Sequence, residues 1–407
     1  MIRNLLIFSL SLSTFFLTAQ SMEWEQIASL PSDFQTHHSF AFSIGDYGYI
    51  VAGNSPEGNR KEMFKYDPQL DEWIQMPDYP GVGRGYGIGD VYNGKAYMGF
   101  GNDVNGDYLN DLWVFDPVDE SWTQLAFCAC ETRIHPAMVA NNGKIYVGMG
   151  GGENSNLNDW WEYDIETDTW SQKRGFPGQI RHHPFQFSIE EYVFTGFGHG
   201  PGFISNNWYR YDPADDSWLQ VSNLPGQGRV AGTQFSFNGK GYILSGEDES
   251  HRAMVTGEFW EYDPIQDAWN VLPPHPGYSR WAPASFLLNG EIYIINGVTR
   301  EANGPSYYVT ENYKFNLNEM VSSRNPEVIN GQLSLYPNPT NGEIFINSEF
   351  DLIESPYIIL DTYGKIVQKG VLQSGQSALN TSQLNAGMYQ LKVQKDNMSY
   401  VERFIKS

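Results

Sequence analysis

Three histidines stand where a repeating pattern breaks. The chain contains six similar units, aligned on an aromatic residue that recurs in each (Tyr49, Tyr97, Tyr146, Phe194, Tyr242, Tyr293). Thirteen residues before that aromatic, one slot holds Thr36, Arg84, Arg133, Arg181, Arg229 and Arg280. Two residues after the slot come His38, Tyr86, His135, His183, Ala231 and Ala282. A repeated arginine has two uses. Its planar fork grips a carboxylate or another anionic group of a ligand, or it is buried against an acid of its own chain. Acids are available at a matching height, at Glu62, Asp111, Asp159, Asn207 (an amide in the acid's place), Glu258 and Glu311. That pattern predicts one ion pair between neighbouring units at each step of the ring. Three histidines hold Zn²⁺ or Cu²⁺ if their nitrogens converge to about 2 Å from one point. Otherwise they line a polar ligand site, or serve as hydrogen-bonded starts of strands. They come from the first, third and fourth units, and the first and fourth lie opposite each other in a ring of six. Convergence therefore requires a narrow channel.

The elements that carry these residues follow from the rest of the repeat. Tyr-Asp, or Phe-Asp in the second unit, followed by Trp recurs about every 49 residues: "KYDPQLDEW", "VFDPVDESW", "EYDIETDTW", "RYDPADDSW" and "EYDPIQDAW", with a worn copy "YKFN" at 313–316. A glycine closes each second strand, at Gly53, Gly101, Gly150, Gly198, Gly246 and Gly297. Asn-Gly pairs precede most of the aromatics, and they favour two-residue hairpins because both residues tolerate positive φ. Each unit is thus four short strands, and alternation places the slot arginine on the packed face of the first. The sixth unit lacks its fourth strand. "EWEQIASLP" at 23–31 is similar to the fourth strand "EWIQMPDYP" and supplies it, removing the open edges of the ring.

Glycine-closed second strands and the Tyr-Asp-Pro…Trp signature at this period resemble the kelch repeat family over about residues 22–318. The resemblance implies an all-β fold, a six-bladed kelch-type β-propeller closed by an N-terminal strand. The paired glycine of that family is kept only in part, in "GMGGG" at 148–152.

The ends set the address. Arg3, an apolar run from Leu5 to Leu17, and Ala19 before Gln20 have the layout of a secretory signal peptide over 1–19. No cysteine follows the cleavage point and no other apolar run reaches membrane-spanning length, so no transmembrane segment is expected. The propeller is assigned to 20–318 and a polar linker to 319–332. Residues 333–407 have alternating apolar residues and turn glycines, a pattern for a small β-sandwich. "LYPNPTNGEIFI", "GMYQLKV" and "ERFIKS" in that segment resemble the type A C-terminal sorting domain of type IX secretion. The resemblance implies passage through the periplasm of a Gram-negative bacterium, engagement of the type IX secretion machinery, and delivery to the cell surface or medium.

Net charge is −23, nearly all of it upstream of residue 333, because 333–407 holds seven acids against six bases. Such a surface repels nucleic acid and anionic membranes, which excludes both as partners. Cys128 and Cys130 are the only cysteines, so the fold is not disulfide-stapled; they are two loop thiols or one local bridge.

No nucleophile elbow, phosphate-binding glycine loop or zinc-binding helix motif is present. No catalytic residue is assigned and no cofactor is called for; the metal content is left open. The long loops between second and third strands form a polar rim that carries His199, His251, Tyr307 and Tyr308. The expected function is a secreted binding or adhesion module. It takes a glycan or protein ligand at this rim through Arg84, Arg133, Arg181, Arg229, Arg280, His38, His135 and His183. The alternative is a carbohydrate-active enzyme of epimerase or lyase type. It would act on an acidic sugar at an arginine-lined mouth, where Arg181, His183 and Glu247 meet.

Overall fold

The computed structural model describes residues 23–407 apart from 255, 301–303, 319–326, 331–332, 349–351, 354, 362–365, 373–377 and 396–397. The signal peptide assigned to 1–19 lies outside the described residues. Residues up to Phe315 form one compact unit and those from Asn316 a second.

The first unit holds six four-stranded antiparallel sheets, each an up-and-down meander. Blade 3 shows the plan, with Ala137–Asn141 innermost, then Lys144–Gly148, Trp160–Asp164 and Thr169–Lys173 outermost. Its first hairpin turns at Asn142 and Gly143, at φ 46° and 78°. This is the doubly left-handed backbone that Asn-Gly favours. Blade 6 has three strands from its own unit, Ala284–Leu288, Glu291–Ile295 and Asn312–Asn316. Glu25–Ile27 completes it, pairing Glu25 with Lys314 and Ile27 with Asn312. The ring is therefore closed by the strand that the sequence supplied.

Aromatic rings fill the space between blades. Phe187, Phe194 and Trp208 of blade 4 pack with Ile243, Tyr262 and Trp269 of blade 5. Gly241 is small because it must be: a Cβ there would meet the Phe187 ring at 1.9 Å.

Two hydrogen-bond systems tie neighbouring blades. The glycine that closes each second strand donates its N–H to the slot carbonyl of the next blade. The six bonds run Gly53 to Arg84, Gly101 to Arg133, Gly150 to Arg181, Gly198 to Arg229, Gly246 to Arg280 and Gly297 to Thr36, at 2.8–3.0 Å. The glycine is required at Gly101, where φ is 88° and a Cβ would lie 2.2 Å from the Gly85 carbonyl oxygen. Further out, the repeated tryptophan donates Nε1–H to the connector from the preceding blade, as Trp170 does to Ala126 O and Trp218 to Arg174 O. The turn aspartate accepts the backbone N–H of the same connector residue, as Asp168 does from Ala126 and Asp216 from Arg174.

The arginines do something else. Arg84 forks onto both carboxylate oxygens of Asp111 at 2.8 and 2.6 Å, and Arg133 onto Asp159 at 2.6 and 2.8 Å. Arg229 reaches Glu258 at 2.5 Å. Both partners belong to the same blade, which corrects the expectation of an ion pair between blades. The slot begins its blade and the acid precedes the third strand of that blade, so the pair staples a sheet internally. In blade 1, where Thr36 replaces the arginine, Glu62 pairs with Arg60 instead.

The second unit has a five-stranded sheet and a three-stranded sheet. Its core contains Ile344, Ile346, Leu352, Ile359, Leu391, Val393 and Phe404. Glu327–Asn330, assigned to the linker, is instead a strand pairing in parallel with Met398–Lys406. A four-residue edge strand whose partner lies some seventy residues away leaves no local signature. Cys128 and Cys130 form one local disulfide.

Candidate functional site

The six inner strands run the same way around the axis and enclose a cavity of about 400 Å³. The residues two places after the slot lie at the end where these strands begin. All six take the left-handed conformation: His38 at φ 53°, Tyr86 at 54°, His135 and His183 at 52°, Ala231 at 52° and Ala282 at 47°. This twist lets their backbones bond around the axis. His38 N donates to Ala282 O at 3.0 Å, His135 N to Tyr86 O at 3.1 Å, His183 N to His135 O at 3.0 Å and Ala282 N to Ala231 O at 2.6 Å. A collar whose neighbours are one hydrogen bond apart is narrow, and its side chains meet across the middle.

They do meet. His38 Nε2 lies 2.9 Å from His183 Nε2, although blades 1 and 4 face each other. The His135 ring stacks on His183 with centroids 3.5 Å apart, and lies 4.9 Å from the His38 ring. One nitrogen from each of the three histidines falls within 4.8 Å of the others.

A second layer holds these rings. His37 Nδ1 is 2.6 Å from His38 Nδ1, and His182 Nδ1 is 2.5 Å from His183 Nδ1. His182 Nε2 continues to His199 Nδ1 at 3.0 Å, and the His199 ring stands edge-on to His251. Seven of the eight histidines thus form one chain of contacts from the axis to the rim. Burial lowers the pKa of His37 and His182 to about 4, the latter also through its neighbours His199 and His251. The three axial histidines are pushed well below the ordinary range, first by burial and then by other histidines. The axial cluster is therefore neutral at pH 7. His135 is exceptional, because both its ring nitrogens are buried without a hydrogen-bond partner.

Aromatic rings surround the collar. Trp281 contacts His37 and His38 at 4.7 and 4.6 Å, Tyr308 stacks on His37 at 5.7 Å, and Tyr86 lies against His38 at 4.8 Å. Trp281, Tyr308 and Tyr86 are all partly exposed. At the rim, Glu247 sits 3.9 Å from His251 Nδ1, and its pKa is raised by burial against the opposing pull of Arg300. Arg300 donates to His251 O and has a buried Nε without a partner. Lower in the cavity, Asp90 accepts the Ala140 N–H at 2.8 Å, and burial raises its pKa to about 6.

The expected arginine site is not assembled at this mouth. Arg84, Arg133, Arg181, Arg229 and Arg280 are all 2% exposed or less. Their guanidiniums face acids, Asn207, or carbonyls such as Met149 O, Phe197 O and Asn296 O. Five arginines held in a dry wall present no exposed guanidinium to the mouth. Arg181, which has an amide partner and no acid, is stacked over Phe176 and Phe203, and burial lowers its pKa to about 10. Arg181, His183 and Glu247 do not form one contact cluster. The residues that sequence reasoning missed are His37, His182 and Trp281. They occupy the position just before the collar, and the same alignment that exposed the collar would have shown it to be irregular.

The comparisons fit this architecture. The KLHDC2/KLHL20/DRC7 Kelch-repeats domain matches residues 11–185, and the secretion system C-terminal sorting domain matches 334–407. The chain carries a kelch propeller and a secretion sorting domain. The kelch propeller is similar to a structure titled "Structure of YjhT", with a TM-score of 0.53 and 16% identity. That match covers 60% of this chain and 86% of that one, and it speaks to the fold alone. Over 109 residues the chain is 29% identical to an N-acetylneuraminate epimerase of Pasteurella multocida (strain Pm70), covering 25% of this chain and 28% of that protein. It is 26% identical over 100 residues to one of Escherichia coli (strain K12), covering 23% and 27%. The chain thus spans about a quarter of the length of these curated relatives. The sorting domain makes this kelch protein a secreted or cell-surface one of Gram-negative type. Among the described residues no helix is long and apolar enough to cross a membrane.

Proposed function

We infer that the propeller is an extracellular binding module for a neutral glycan, held against the aromatic ring around the collar. The observation that carries this reading is the grouping of partly exposed Trp281, Tyr308 and Tyr86 around His37 and His38 at one end of the channel. Flat aromatic faces suit the C–H faces of sugars, and the polar rim loops supply hydrogen bonds to hydroxyls. The buried, paired arginines speak against a carboxylate-binding mouth. Calorimetric titration of the full chain with neutral and sialylated oligosaccharides tests the reading. Binding of a neutral sugar that is lost in Trp281→Ala is expected. Binding that persists in that variant, or none to any neutral sugar, sinks it.

A second reading, an enzyme acting on an acidic sugar, is favoured by the names of the partial relatives and by the Glu247, His251 and Arg300 cluster at the rim. Incubation with N-acetylneuraminate, followed by NMR of its anomeric ratio, separates the two. Catalysed interconversion abolished in Glu247→Gln supports the enzyme. An unchanged rate over buffer removes it.

A further inference from the structure

We propose that His38, His135 and His183 form a binding site for one divalent transition-metal ion of the zinc class on the propeller axis, with an open coordination position facing the axial cavity. Three observations support it independently of the glycan reading.

The first is convergence. Three imidazoles from three separate blades offer nitrogens within 4.8 Å of one another. A zinc ion bonded at about 2.0–2.1 Å sets its nitrogens about 3.3 Å apart in tetrahedral geometry. The 2.9 Å between His38 Nε2 and His183 Nε2 therefore has to open by only a few tenths of an ångström.

The second is His135. Its two nitrogens are buried and bond to nothing. A buried polar ring without a partner is destabilising, and a metal ion bound through one of its nitrogens satisfies that nitrogen. Because no hydrogen bond holds the ring in its stacked position, it can turn a nitrogen toward the ion without breaking one.

The third is the proton order of the surrounding chain. Ligation through Nε2 puts the protons of His38 and His183 on Nδ1. Each then donates to Nδ1 of His37 or His182, at 2.6 and 2.5 Å. His182 is thereby protonated on Nε2 and donates to His199 Nδ1 at 3.0 Å. Every bond in this chain is satisfied by neutral rings. Outer partners that fix the tautomer of a ligating histidine are the usual support of such sites. Without an ion, the Nε2···Nε2 contact needs a proton on one ring, so His38 and His183 cannot share one tautomer. Three neutral nitrogens suit zinc or copper, and the chain's net charge of −23 raises the local concentration of divalent cations.

The fold also supplies the control. Ala231 and Ala282 already occupy the equivalent collar positions at the same φ, so histidine-to-alanine changes suit the backbone. Full-length protein is stripped with chelator and titrated with Zn²⁺ alone, read by calorimetry and by elemental analysis after desalting. One equivalent in the wild type and in His251→Ala is expected, with at least tenfold weaker binding in each of His38→Ala, His135→Ala and His183→Ala. Co²⁺ in place of Zn²⁺ should give visible d–d bands that His135→Ala abolishes. Should an alanine variant fail to fold, His135→Asn replaces it, because asparagine tolerates the left-handed backbone. Stoichiometric binding retained in all the collar variants overturns the proposal. So does the absence of binding of Zn²⁺, Co²⁺ and Cu²⁺ by the folded wild type at micromolar concentration.

Discussion

The belt position, arginine in five blades, and the collar position, histidine in three, are two residues apart in every blade, yet they have opposite characters. The belt repeats, is buried, and gives every guanidinium an acid, amide or carbonyl partner, with Arg84 Nε and Arg229 Nε and Nη1 left over. The collar varies from blade to blade, faces the axis, and leaves His135 unmatched. The left-handed backbone at each collar residue, and not strand alternation, thus separates a part that holds the blades in shape from a part free to differ between them. In a ring of near-identical units, a ligand can be sought where the units disagree and where hydrogen bonds are missing.

The sharpest way to break this contrast is to delete one member of each set. Arg133→Ala leaves Asp159 without its cation and should cost about 3–5 kcal/mol, lowering the propeller melting temperature by several degrees. His135→Ala in metal-free protein removes a ring that makes no hydrogen bond and should cost about 1 kcal/mol or less. Equal losses in thermal unfolding would erase the distinction.

Acid should act on one set alone. The pKa of His37 and of His182 is held near 4 in the fold, below the unfolded value of 6.5. Both rings are neutral when folded, so their stabilising effect is complete above pH 6.5 and is lost as pH falls toward 4. Between pH 7 and 5 each ring should cost metal-free protein about 2 kcal/mol in urea unfolding, set against a gain of about 1 kcal/mol from Asp90, whose pKa of about 6 lies above its unfolded value. Arg181 and Arg280, lowered only to about 10, stay charged throughout. A flat profile would show that the collar is not dry.

Asn207→Asp tests the belt from the other side. It gives Arg181 the carboxylate that Arg84 and Arg133 already have, and should raise stability by about 1 kcal/mol in the same assay. The smallest effect is expected at the backbone. Ala282→Gly relieves a left-handed alanine at φ 47° and should raise stability by about 0.5 kcal/mol, provided φ there is set by the ring.

The belt was legible because arginine and acid recur at fixed offsets. Which blade each pair joins was not, because a repeat alignment gives a position within a unit and not which neighbour it faces. The blades were legible through Tyr-Asp, Trp and the closing glycines, each of which makes the same bond in most units. The closing strand was legible because residues 23–31 resemble another fourth strand. Blade 2 shows the limit. Phe115 and Glu120 stand in the usual Tyr and Asp positions, and the buried Trp122 Nε1 finds no partner. Histidine convergence was out of reach because it depends on the collar's width. That width is set by a left-handed twist and bonds between residues about fifty positions apart. The strand at Glu327–Asn330 was missed for the same reason, having a distant partner and no pattern of its own.

Closure of blade 6 by Glu25–Ile27 has a consequence for the timing of biogenesis. The strand made first must wait for the strand that ends near residue 316, so the two ends of the ring meet only when nearly the whole propeller has been synthesised. Until then blade 6 lacks its outermost strand and presents an unpaired edge that other chains can join. A chain bound for export gains from this delay, since an unclosed ring is easier to keep unfolded for translocation than a closed one. The collar also needs the last blade, because its blade 1 histidine donates its backbone N–H to Ala282 O. Ring closure and completion of the axial site therefore both depend on the blade that is made last.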